Sequence, residues 1–183
     1  MKGFVATALG VVLLAGLVPA LGHQHKKDPR VPLNRCELTS VWGATVTTER
    51  FVPVFDGQAY CDQETGLIWE TSPATTKHAW TGSDLAFACA NKAVGGRKGW
   101  RVPSIHELAS LVDPSVPAPG PTLPPDHPFA NVQPATYWSA TTVAALPTNG
   151  WLLTFASGDI NSNPKDTLQH VWCVRGGGVL DTY

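Results

Sequence analysis

The fold this chain predicts is an α+β domain, two helices packed on a mainly antiparallel twisted sheet. Two helical patterns stand side by side between residues 81 and 112, and short strand-like runs lie before and after them. Strands alternating with helices would specify a parallel sheet, whereas runs of strands around a helix pair specify an antiparallel one. The third observation is a stretch with eight prolines in 24 residues, Asp113 to Thr136, which suits neither a helix nor a central strand.

The elements follow in chain order. Lys2, the apolar run Phe4 to Leu21 and the small-residue end Ala20-Leu21-Gly22 form the pattern of a secretory signal peptide, residues 1–22, cleaved after Gly22. The run of about 18 residues stands at the lower limit for spanning a bilayer, no cysteine sits beside the cleavage point for lipid attachment, and nothing later could span. Residues 23–35 are polar and aperiodic and read as a flexible lead. Residues 36–183 then make a single domain, long enough to bury its own core. Arg50 to Phe55 and Ala59 to Asp62 read as short strands. Gln63-Glu64-Thr65-Gly66 supplies a turn ending in glycine, and Leu67-Ile68-Trp69 continues as a strand.

The period then changes. Thr81 with Asp84 can act as a capping box, and Leu85, Cys89 and Ala93, with Ala86 and Ala90, recur at helical spacing until Gly95-Gly96. Pro103 precedes a second box, Ser104 with Glu107. Ile105, Leu108, Leu111 and Val112 give that helix its apolar stripe, and Asp113-Pro114 ends it. The proline-rich stretch is a long loop with too few apolar groups for a core. Tyr137 to Thr141, Trp151 to Phe155, Asp159 to Ser162 and His170 to Arg175 read as strands, with Ser157-Gly158 turning the middle pair. No internal repeat is evident.

The formal net charge is -1, and only Lys2 is charged within residues 1–22, so the mature chain is more acidic by one unit. Such a chain has no basic field for nucleic acid or anionic lipid. Four cysteines in an exported protein read as two disulfides, and three pairings are open.

Four motifs keep a fixed order: Thr65-Gly66-Leu67-Ile68-Trp69-Glu70, the segment Gly95 to Leu108 with its Gly99-Trp100-Arg101-Val102-Pro103-Ser104, Tyr137-Trp138-Ser139-Ala140-Thr141, and Val171-Trp172-Cys173-Val174-Arg175-Gly176-Gly177. Through them residues 55 to 177 resemble the Lcl C-terminal domain family, named for the end domain of a Legionella collagen-like adhesin. The resemblance implies a C-type-lectin-like fold. It also implies the pairs Cys89 with Cys173 and Cys36 with Cys61, because such domains tie their first helix to their last strand. On such a scaffold function sits in loops. The implied role is that of an exported, non-catalytic recognition or adhesion domain, periplasmic or extracellular, that binds a glycan or surface protein. The sequence leaves its oligomeric state open. The alternatives are an enzyme of formylglycine-generating type, which shares this general fold and needs a free reactive thiol, and a structural subunit of an envelope or surface assembly.

Candidate ligand-binding residues are Asp126, His127 and Phe129 in the proline-rich loop, with a plug of the loop onto the core as the alternative role of Phe129, and Trp151, Asp159 and Asn161 in the following hairpin, because prolines pre-order a loop and lower the entropy lost on binding. On this reading, shortening the loop between Pro117 and Pro125 leaves stability nearly unchanged. Of the seven tryptophans, Trp69, Trp100, Trp138 and Trp172 lie in the motifs and read as core, while Trp42, Trp80 and Trp151 are freer. Arg101 and Arg175 could grip an anionic sugar, but a structural pair with Glu107 or Glu70, or bonds to loop carbonyls, is favoured. The acidic charge also argues against the sulfated glycans associated with this family. Asp159, Asn161 and Asn163 imitate the start of a calcium loop, but Pro164 and His170 stand where a glycine and a bidentate glutamate belong. His78, His106, His127 and His170 adjoin no nucleophile motif. No cofactor is expected within the domain. If cleavage follows Gly22, the terminal amine, two backbone nitrogens and the His25 imidazole of His23-Gln24-His25 can form a square-planar Cu(II) or Ni(II) site.

Overall fold

The first sheet grows from a hairpin. The computed structural model describes Cys36 and residues 49–177. Strand β1 (Phe51–Val54) pairs antiparallel with β2 (Ala59–Asp62), from Phe51 opposite Asp62 to Val54 opposite Ala59. A second turn leads to β3 (Ile68–Glu70), which pairs with β2. Gly66 takes the left-handed conformation expected of it, φ 75°, and its N–H donates to the Asp62 carbonyl at 2.7 Å. The Asp62 carboxylate completes the turn by accepting from the Glu64 amide, the Thr65 hydroxyl and the Arg50 guanidinium.

On the far side of β3 lies the short last strand. Labelled in chain order, β4 (Thr136–Thr142), β5 (Asn149–Thr154) and β6 (Asp159–Pro164) form a separate antiparallel sheet, and β7 (Val174–Arg175) completes the first in the order β1-β2-β3-β7. The single sheet expected is therefore two. The predicted strand His170 to Arg175 is divided between them: His170 bridges Tyr137 of β4 in parallel, and Val174 pairs with Trp69 of β3 and bridges Arg101.

Successive residues of a strand point to opposite faces. Here both faces are buried. Ile68, Trp138, Leu152 and Cys173 belong to one hydrophobic cluster, while their neighbours Trp69, Tyr137, Leu153 and Trp172 belong to another. This is why the strand sequences read as unbroken apolar runs. Trp69, Trp100, Trp138 and Trp172 are all core, as expected.

The helices divide the two clusters. Helix α1 (Asp84–Ala90) buries Leu85 and Cys89 in the first. It is shorter than its apolar pattern suggests, and the Thr81–Asp84 box does not form: the N-cap is Ser83 without a side-chain bond. Asp84 instead meets His78 Nδ1 at 3.0 Å and accepts from the Ala79 amide. Gly95 and Gly96 lie in a separate 3-10 turn, Val94–Gly96. Helix α2 (Ile105–Ala109) buries Ile105 and Leu108 in the second cluster, and its box is complete: Ser104 Oγ accepts from the Glu107 amide at 3.2 Å and Glu107 Oε2 from the Ser104 amide at 2.8 Å. Ser104→Ala is expected to lower stability by about 1 kcal/mol in denaturant melts, with the fold intact.

Both disulfides are formed as the resemblance implied, Cys36–Cys61 and Cys89–Cys173. The proline-rich loop departs from expectation. Leu123 and Phe129 are buried members of the second cluster, and the Thr122 amide donates to the Phe155 carbonyl at 2.7 Å, so the loop forms part of the core. Residues 1–35 and 37–48, which include the signal peptide, the lead, His23, His25 and Trp42, lie outside the described residues.

Candidate functional site

A groove of about 760 Å³ opens beside the two helices, within the size range of small-molecule pockets. Its space comes from small side chains. In α1, Leu85 and Cys89 turn inward, so Ala86 and Ala90, one turn apart and both exposed, are left facing outward. Trp100 and Val102, from the segment before α2, and Ala140 of β4 complete an apolar lining, with Trp80 at its edge. Trp80 is held edge-on against Trp138 at 5.6 Å, with Lys165 Nζ 4.7 Å from its ring centre. Gly150 lies directly beneath it, and any Cβ there would fall 2.1 Å from the ring.

The polar rim is internally neutralised. Arg101 gives both terminal nitrogens to Glu107, at 2.6 and 2.7 Å, and a further bond to the Gly176 carbonyl. Glu107 is at the same time the second half of the α2 capping box. One carboxylate therefore ties the start of α2 to the signature arginine. The structural reading of Arg101 holds. Arg175 likewise donates to the Lys98 carbonyl at 2.9 Å and among the described residues meets no carboxylate, because Glu70 is ion-paired with Lys92 and accepts from the Cys173 amide. Burial foremost raises the Glu70 pKa, with Lys92 and the Cys173 amide opposing it. His106, on α2, is exposed at the groove.

The residues proposed from sequence are dispersed. Phe129 is 6% exposed and plugs the loop onto Phe51, Tyr60 and Trp172, the second of the two roles its sequence allowed. His127 stacks on Phe129 and its Nδ1 accepts from the Phe129 amide, while burial lowers its pKa. Trp151 is half-buried against the second cluster. Asp126, Asp159 and Asn161 are exposed. Asp159, Asn161 and Asn163 lie along the extended strand β6 and share one face of it, a geometry that does not wrap a cation. His170 is buried, and burial holds its imidazole below the ordinary value. Sequence reasoning missed the groove because its walls come from five separated stretches of the chain. The one local sign of it was the Ala86/Ala90 pair, read as part of the helical stripe.

Fold and site together define a small α+β domain held by two disulfides, with an open groove beside a capped helix. The chain belongs to the Lcl C-terminal domain family, which matches residues 58–175. No curated protein matches it. The family is one of surface- and adhesin-associated domains, and two disulfides fit an exported protein. Among the described residues no helix is long and apolar enough to cross a membrane.

Proposed function

We propose that this chain is an exported, non-catalytic recognition domain on a C-type-lectin-like scaffold, and that it holds a glycan or surface protein in the groove beside α1 and α2. The observation that carries the reading is the division of labour among the signature residues: the motif tryptophans are buried, Arg101 and Glu107 satisfy each other, and the groove they border stays open over Ala86 and Ala90. An apolar lining with a few fixed polar groups at its edge suits a ligand that buries a hydrophobic ring face or side chain. The pairing of all four cysteines supports the non-catalytic reading, since formylglycine-type chemistry needs a free thiol.

The test fills the groove from the exposed side of α1. Ala86→Trp and Ala90→Trp are expected to weaken binding to the best hit of a glycan array, or to a captured surface protein, by at least about tenfold, roughly 1.4 kcal/mol, at an unchanged melting temperature. Asp126→Ala and Asp159→Ala are expected to bind normally. The reverse pattern would move the contact surface to the loop and hairpin.

A further inference from the structure

The two disulfides differ in what surrounds them. Cys89 and Cys173 are 0% and 1% exposed in the first hydrophobic cluster, and Cys173 Sγ lies 3.9 Å from the Ala88 carbonyl oxygen. Cys61 is fully buried in the same cluster, but its partner Cys36 packs against the cluster half-buried, so an incoming thiolate reaches this bond from the Cys36 side alone. The amide Nε2 of Gln63 donates to Cys61 Sγ at 3.3 Å. Cys36 Sγ faces instead the carbonyl oxygens of Gly66 and Leu67, at 3.5 and 3.7 Å. A donor favours a departing thiolate and carbonyl oxygens disfavour one, so the surroundings also fix which sulfur leaves. We propose that Cys36 Sγ is a thiol–disulfide exchange site, at which an external dithiol opens Cys36–Cys61 while Cys89–Cys173 stays closed.

The exchange balances in two steps. One thiolate of the dithiol attacks Cys36 Sγ, the Cys36–Cys61 bond breaks, and Cys61 leaves as a thiolate that accepts a hydrogen bond from Gln63 and then takes up a proton. The second thiol of the reagent, once deprotonated, attacks the mixed disulfide and displaces Cys36 as a thiolate. The dithiol is oxidised to its own disulfide by two electrons, and the protein bond is reduced by two. Rate in such exchange depends on access and on the stability of the leaving thiolate, and both favour this bond over the buried one. Its consequence is that the covalent link between Cys36 and β2 becomes reversible while the helix-to-last-strand link persists.

The experiment exposes the folded, oxidised protein to dithiothreitol, stops aliquots with an alkylating agent and maps the labelled peptides by mass. Cys36 and Cys61 are expected to open at least about tenfold faster than Cys89 and Cys173, before any change in circular dichroism. Gln63→Leu should slow that opening severalfold and leave the other bond untouched; an unchanged rate overturns the role of Gln63. Cys89–Cys173 opening first, both bonds opening together, or unfolding in step with Cys36–Cys61 opening overturns the site. A Cys36→Ala/Cys61→Ala double variant should fold with Cys89–Cys173 formed, and its failure to do so overturns the proposal too.

Discussion

Phe129→Ala is expected to lower stability by about 3–5 kcal/mol, the range for removing a buried aromatic side chain from a packed core. The ring meets Phe51 and Trp172 edge-on at 4.9 Å and Tyr60 at 5.9 Å, so its loss leaves a cavity lined by three aromatic side chains that cannot easily close. The main-chain bonds of the loop, the residue 129 amide to His127 and the Ala130 amide to the Thr71 carbonyl, survive the substitution, so the loss is one of packing. Urea melts with a fixed slope measure the effect. A loss under about 1 kcal/mol would be that of a surface residue and would mean that the loop is not anchored there. The same reasoning reverses the expectation for shortening the loop between Pro117 and Pro125, which removes Thr122 and Leu123, both 2% exposed.

That reversal shows where the sequence ceases to be legible. A capping box is local: Ser104 and Glu107 are three residues apart, Pro103 precedes them, and Glu107 keeps its bond from the Ser104 amide while also holding Arg101, so the start of α2 could be read directly. Thr81 and Asp84 carry the same spacing and fail, because the Asp84 carboxylate is engaged by His78 and the Ala79 amide from an upstream segment. Leu123 and Phe129 are isolated apolar residues among prolines. Isolated residues have no period, and only the tertiary fold reveals that each meets a cluster. The sheet count failed for a similar reason. His170 to Arg175 has a strand's composition, but its two ends find different partners, Tyr137 at one and Trp69 with Arg101 at the other. The four motifs, by contrast, revealed the family because each encodes a local packing or turn requirement, such as Gly66 at φ 75° before the buried Trp69.

Replacing Cys89 and Cys173 together by alanine is expected to cost about 4 kcal/mol in the chain-entropy model, because the bond closes a long segment, 84 residues in sequence separation. Packing adds to this figure. Both sulfurs lie inside the first hydrophobic cluster, and the Cys173 amide is one of the groups that hold the buried Glu70 carboxylate beside Lys92. Loosening Cys173 therefore threatens an ion pair whose carboxylate is 3% exposed, and a buried carboxylate that loses its partners is strongly destabilising. The last strand has support of its own: Trp172 Nε1 donates to the Glu70 carbonyl at 2.9 Å, and Val174 exchanges backbone bonds with Arg101. Denaturant melts of the oxidised protein and the double variant separate the two contributions. A loss near 4 kcal/mol is what the cross-link alone accounts for, a larger one adds the buried carboxylate, and a loss under about 1 kcal/mol would mean that β7 is held by its packing without the disulfide.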